Sequence, residues 1–184
     1  MKPINKKQSG FAILEVALAV LIMVLASLGI FMVYSSTSAK SQLSAQETAV
    51  SQLSTAFQQY VSVNYTNPVA ADALPDLIAL HTVGSQFIKE TTDKGVTTAS
   101  VVGPYGAITV TPYKDIGDYS LTVSTLPGEV AQQFASDMLA SADVTINGDD
   151  ANSSEAIASA TIKPAQTNIV VLKFPKGGAH APVS

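Results

Sequence analysis

The chain has 184 residues, no cysteine and no arginine, and its ten lysines against fourteen acids leave a formal charge of −4. That composition excludes a disulfide framework and argues against a nucleic-acid or other polyanion partner, because phosphate contacts rest on clusters of Lys and above all Arg. Ahead of everything lies MKPINKKQSG, with Lys2, Lys6 and Lys7 and no acid. Phe11 to Tyr34 follows, 24 residues of which only Glu15, Ser27 and Gly29 are not apolar. At about 1.5 Å per residue a helix of that length crosses the ~30 Å hydrocarbon core of a bilayer. Residues 11–34 are therefore expected to span a membrane, and the basic flank holds the N-terminus on the cytoplasmic side.

An ordinary secretory signal has a shorter apolar region, and its small-residue cleavage site comes afterwards. Here the small residue, Gly10, precedes the apolar run. A carboxylate, Glu15, stands five residues after it, where burial at mid-bilayer costs about 2.5–3.5 kcal/mol on insertion scales. Lys6-Lys7-Gln8-Ser9-Gly10-Phe11 followed by Ala-Ile-Leu-Glu15 resembles the processing site of type IV prepilins and their pseudopilin relatives. The resemblance implies that residues 1–10 are a leader, removed by a membrane aspartic peptidase that cuts between Gly10 and Phe11 and N-methylates Phe11. It also implies that the Glu15 carboxylate of an incoming subunit pairs with the amine of a neighbour's Phe11 during assembly. Removal of the leader leaves seven lysines against fourteen acids, a charge of −7.

No proline or glycine interrupts the chain between Gly29 and Pro68. Ser35-Ser36-Thr37-Ser38 is a weak point, since hydroxyl groups compete for backbone hydrogen bonds. The pattern resumes with Leu43, Val50, Leu53, Phe57 and Tyr60 at spacings of seven, three, four and three, the seam of an amphipathic helix. The spacing predicts one helix over residues 11–64, apolar all round at first and on one side from about residue 40, where it packs into a head of residues 65–184. Residues 65–84 read as linker with a short helix over Pro75 to His81. Ala107 to Tyr113 and Tyr119 to Thr125 alternate as two antiparallel strands around a turn at Lys114 to Asp118. Pro127 to Ala142 returns to helical spacing through Val130, Phe134, Met138 and Leu139, with Glu129 in the first turn. Val144 to Ile146, Ala160 to Ile162 and Asn168 to Phe174 are the last predicted strands, and the tail from Pro175 reads as loose. The fold class is α+β: a long N-terminal helix on an antiparallel sheet with a crossing helix. The core is expected to bury Phe57, Tyr60, Ile108, Val110, Leu121, Val123, Phe134 and Leu139.

Gly103-Pro-Tyr-Gly-Ala-Ile-Thr-Val110, Tyr119 through Pro127, and Val144-Thr-Ile-Asn-Gly148 resemble, in order and type, the head of class B pilins, particularly the conjugative thin-pilus major pilins. Two departures are the absent C-terminal disulfide and the absent proline in the apolar half of the helix; the ten-residue leader and Phe11 also suit class A. The resemblance implies a structural subunit that waits in the inner membrane, meets the prepilin peptidase and the pilus assembly machinery, and polymerises with copies of itself. The product is an extracellular filament for adhesion, conjugation or motility. A minor pilin or type II secretion pseudopilin is the alternative, and a bitopic membrane-anchored binding protein or enzyme is the rival from another class.

No catalytic constellation is present and no cofactor is expected. His81 ends a short helix, His180 falls in the tail, and neither stands in a zinc-ligand spacing. Asn147-Gly148-Asp149-Asp150 with Asn152, Ser154 and Glu155 is rich in oxygen and suggests calcium, but it lacks the alternating ligands and terminal glutamate of an EF-hand loop, and Asn-Gly between strands is first a turn. Gly103-Pro-Tyr-Gly106 is a turn too, because no strand-to-helix switch follows it to cradle a phosphate. Ser184 resembles a glycan-attachment position of some pilins.

Overall fold

The structure, a computed structural model, describes residues 9–93, 96–163 and 167–180, without the side chains of 9–14, 35, 93, 96 and 97. Helix α1 runs Ser9–Asn64, and the chain divides into two compact units, Met1–Ser41 and Gln42–Ser184. In the first unit the serines that threatened the helix do not break it. Ser27 Oγ donates to Met23 O at 2.8 Å and Ser36 Oγ to Val33 O at 3.0 Å, so each hydroxyl is spent on the preceding turn.

The second unit holds the rest. After α1 come α2 (Ala73–Ala79), a 3-10 turn (Ser85–Phe87), β1 (Ile88–Asp93), β2 (Val96–Gly103), β3 (Gly106–Pro112) and β4 (Tyr119–Leu126). Then follow α3 (Gly128–Met138), β5 (Asp143–Ile146), β6 (Asp149–Asp150), α4 (Ser154–Ser159) and β7 (Asn168–Phe174). The seven strands form one sheet in the order β1-β2-β3-β4-β7-β5-β6, with every neighbouring pair antiparallel. Strands β4 and β5 are both antiparallel to β7, hence parallel to each other. A hairpin cannot join parallel strands, and α3 supplies the crossover.

Register explains the core. Tyr119 pairs with Phe174, Leu121 with Leu172 and Val123 with Val170, while Val144 and Ile146 pair with Leu172 and Val170 from the other side. With side chains alternating across a strand, these residues share one face, and all are buried. The α1 seam meets it: Val50, Leu53 and Phe57 are at most 1% exposed, and the Phe57 ring stacks on Tyr119 at 3.9 Å, which in turn stacks on Phe174 at 5.0 Å. Helix α3 adds Ala131, Phe134 and Ala135, all buried. Of the predicted core, Tyr60 and Leu139 lie at the margin and the other six are buried. The α+β architecture is as the sequence predicts.

Four local expectations need correction. The polar stretch before Gly103 is the β1–β2 hairpin at the sheet edge, where no strand was predicted. Helix α3 stops at Met138 and not at Ala142: beyond it Leu139 N reaches Ser136 O and Ser141 N reaches Met138 O, the i+3 to i bonds of a tightened last turn. Ala160 to Ile162 is not a strand: Thr161 N donates to Asp149 Oδ2 at 3.0 Å and Thr161 O accepts from Asn147 Nδ2 at 2.7 Å, so side chains take the place of a ladder. Its predecessor is helix α4, capped by Ser153, whose Oγ accepts from Ala156 N at 3.0 Å. The tail, finally, is not loose as far as His180: Gly177 N donates to Asp143 Oδ2 at 2.5 Å and His180 N to Asp118 Oδ2 at 3.2 Å.

Candidate functional site

The leader Met1 to Gln8 lies outside the described residues, as does Ser184. Gly10 and Phe11 belong to the first turns of α1, and Glu15 is the first residue of that helix whose side chain is described. Phe11 and Glu15 are four apart, so the helix puts them on one face, one turn apart. The Glu15 side chain is exposed.

What surrounds Glu15 is unusual for a protein surface. Every large apolar side chain from Val16 to Tyr34 is between 51% and 74% exposed, fourteen of them in succession along α1. Scattered exposed leucines need no explanation, but a continuous apolar cylinder does. By length and composition α1 is the helix among the described residues that can cross a membrane, and its apolar window is wholly unburied. At Gly29 nothing lies within 4 Å of a would-be Cβ. A shallow notch opens there between Ala26, Ile30, Val33 and Tyr34.

The head holds its surface features by turn chemistry. Gln46, fully buried on α1, accepts from Tyr105 N through Oε1 at 3.2 Å, which fastens the helix to the β2–β3 turn. The turn is glycine at both ends for separate reasons: a Cβ on Gly103 would collide with Gln46 Oε1, and Gly106 has φ +103°. The Thr125 hydroxyl, across from it on β4, donates to Tyr105 O. Asn67, in the loop after α1, donates to Tyr113 O and Asp115 O at 2.7 Å each and accepts from Gly117 N at 2.7 Å, closing the β3–β4 turn onto that loop. Neither amide was singled out in the sequence; the signal for Asn67 was its place beside Pro68, and Gln46 offered none beyond interrupting an apolar face.

In the oxygen-rich segment 147–155, the side-chain oxygens of Asn147, Asp149, Asn152 and Ser153 accept from backbone N–H groups. Asn147 (φ 52°) and Gly148 (φ 93°) form the left-handed pair that a two-residue hairpin turn requires. Asn152 Oδ1 accepts from Val144 N at 2.6 Å, Ser153 caps α4, and Thr161 bonds hold the Asp149 carboxyl below the usual carboxylate range. Among the described residues no three His, Asp or Glu side chains are grouped as metal ligands. His81 is exposed, with φ 54°, in the turn that ends α2. Three perturbed groups remain among the described residues. Burial raises the phenol of Tyr105 in the β2–β3 turn. Burial pushes the Tyr119 phenol up to about 12, while its hydroxyl lies 2.6 Å from Ser54 Oγ. Burial first, and then the facing Asp137 of α3, raises Glu47 on α1. Glu47 lines an open cleft with Ser44, Thr48, Ser51, Gln52 and Met138, whereas Tyr119 is buried in the core.

A long N-terminal helix with an exposed apolar half, and an antiparallel sheet with a crossing helix against its amphipathic half, define the type IV pilin fold. The crystal structure of a type IV b pilin from Salmonella typhi is similar, with a TM-score of 0.51 and 16% identity over 72% of this chain and 99% of that one. No protein-family model and no curated protein matches the sequence.

Proposed function

We propose that this chain is the structural subunit of a type IV pilus. The observation that carries the reading is the uncovered apolar half of α1, broken by one carboxylate at Glu15, on a chain whose head has the pilin fold. The precursor sits in the inner membrane with its leader in the cytoplasm. A prepilin peptidase cuts between Gly10 and Phe11 and methylates the new amine of Phe11, and the assembly machinery then moves the subunit from lipid into a filament of identical copies. In the filament, side chains from Ala12 to Met32 pack on one another; lipid already shields them from water, so what they gain there is close packing between helices. Glu15 sets the register by pairing with the Phe11 amine of a neighbour, a contact that costs about 3–5 kcal/mol to break on one side only. The role is structural, not catalytic, and the product is a cell-surface filament for adhesion, conjugation or motility. Likeness to a type IV b pilin favours class B.

Electron microscopy of sheared extracellular material, with intact-mass measurement of its subunit, tests the proposal. Filaments whose subunit begins at Phe11 and carries one added methyl group are expected. A subunit that stays in the envelope would support the pseudopilin alternative, and a mature start beyond Tyr34 would contradict the whole reading.

A further inference from the structure

Among the described residues, five large apolar side chains of the second unit stay exposed, and four of them gather at one end of it. Val63 is in the last turn of α1, Tyr65 and Val69 follow in the loop, and Ile116 is in the β3–β4 turn; all four are between 64% and 81% exposed. Asn67 holds the two loops together, because its side chain bonds Asp115 O and Gly117 N, on either side of Ile116, at 2.7 Å each. Tyr65 adopts φ 53°, a left-handed backbone that glycine takes freely and a residue with a Cβ does not. The head therefore bears the strain of that position together with an uncovered ring, the most exposed of the four, and gains little packing in return.

A hollow lies at the opposite end. Pro127, Gly128, Val130 and Ile162 line a recess of about 530 Å³ where α3 begins, rimmed by Glu129 and Gln132. Strand β4 separates the two features: the patch borders its first residue, Tyr119, and the recess follows its last, Leu126, eight residues or roughly 25 Å away. Helix α1 covers the same interval in the opposite sense. Its Gln46 Oε1 accepts from the backbone N–H of Tyr105, a residue whose carbonyl takes the Thr125 hydroxyl at the far end of β4, and its Ser54 Oγ is 2.6 Å from the Tyr119 hydroxyl at the near end. Each feature is flanked by one charge of each sign, Lys114 and Asp115 beside Ile116, and Glu129 and Lys163 beside Val130 and Ile162, all four exposed.

We infer that heads of this chain stack end to end, with the apolar patch around Tyr65 and Ile116 of one copy seated in the recess of the next. The inference rests on the pilus reading and adds to it the contact that the heads make. Two different surfaces at opposite ends of one molecule form a heterologous contact, which repeats from copy to copy along a filament, whereas a patch that met itself would stop at a dimer. The occupant of the recess is a second copy because the chain carries both halves of the contact. Charge fixes its orientation: Lys114 meets Glu129 and Asp115 meets Lys163 when the patch enters one way round, and like charges meet when it is reversed. Tyr65 is the anchor, since an aromatic ring with a polar tip suits an apolar recess with a polar rim.

Because the chain has no cysteine, introduced thiols report on this contact alone. Filaments of a chain carrying both Thr66→Cys, beside the patch, and Gln132→Cys, at the recess rim, are sheared off, treated with a short bismaleimide crosslinker and run on a denaturing gel. Most of the subunit should appear as a ladder of dimers, trimers and higher oligomers, while either single variant stays monomeric. Adding Tyr65→Ala to the doubly substituted chain should cut the crosslinked fraction several-fold without moving the urea midpoint of the head, since that ring takes no part in the core. Carbodiimide coupling of unsubstituted filaments, which needs no variant to assemble, should join Lys114 to Glu129 of the next copy, read by mass analysis of the linked peptides. Filaments that yield only monomer and no such linked peptide would overturn the stacking. So would dimers from Thr66→Cys alone, with the patch meeting itself, or an adduct of that thiol with a different protein. Absence of filaments from the unsubstituted chain would instead sink the pilus reading, and this contact with it.

Discussion

One helix, α1, lives under two regimes. Between Ala49 and Phe57 its apolar side chains are at most 1% exposed, sealed by β4, β7 and the rest of the head, whereas from Val16 to Tyr34 none of the large ones is less than half exposed. Helix propensity does not separate the two stretches. The difference lies in periodicity: apolar residues on one side of the turn find their cover within the chain, and apolar residues on all sides exceed what one head can cover. The second stretch completes a fold. The first requires an environment that the chain itself does not provide, which is why membrane and filament enter the proposal together.

The sharpest way to break this comparison is a matched pair of truncations. Phe57→Ala should destabilise the head by about 3–5 kcal/mol, read as a shifted urea midpoint of the full chain in detergent, and Phe31→Ala should leave that midpoint in place. Equal losses would mean that both stretches serve the same core. Next in size is Gly103→Ala, expected to cost about 1–3 kcal/mol. Gln46 is fully buried and its amide cannot retreat from the new methyl without giving up Tyr105 N. Tyr119→Phe should cost about 1 kcal/mol through the lost partner of Ser54, leaving the ring stack on Phe57 and Phe174 intact.

The smallest effect has the opposite sign. Glu47 titrates above its usual value because it is partly buried and faces Asp137. A carboxyl with a raised folded-state pKa penalises the fold above that value, and the penalty fades as pH falls toward the unfolded one. Glu47→Gln should therefore raise the midpoint at neutral pH, by no more than about 1 kcal/mol for so solvated a pair, and the gain should vanish near pH 4.

How far the sequence foretold all this depends on whether the signal was local. The α1 seam, the β3 and β4 alternation, the Asn147-Gly148 turn and the Phe134 face are short-range patterns, and the structure repeats them. The β1–β2 hairpin was illegible because Lys89-Glu90-Thr91-Thr92 is polar on both faces; these residues sit exposed on an edge strand that pairs with β2. The tail was misjudged for a different reason. Its glycines and prolines indicate flexibility, while what restrains it, Asp118 and Asp143, lies 62 and 34 residues away from the groups it holds. Helix α4 had a usable sign in Ser153 followed by Glu155, overshadowed by the alternation of Ala160-Thr-Ile162. For the candidate site, Glu15 and the apolar run were legible from the start, since they need only composition and order; Gln46 and Asn67 were not, because their partners are distant in sequence.

The most direct test of the central claim is Glu15 itself. Removing its carboxylate takes an expensive charge out of the bilayer, so Glu15→Ala should insert at least as well as the wild type. Insertion and assembly should then separate. Immunoblots of shear-released against membrane-retained subunit, for wild type, Glu15→Ala and Glu15→Gln, should show both variants cleaved after Gly10 and held in the membrane at normal levels, with little or none released. Glutamine keeps the shape and hydrogen bonding but not the charge, so its failure would assign the effect to attraction for the amine of Phe11. Normal release of the alanine variant would contradict the account and leave α1 as a membrane anchor for a head that does the work.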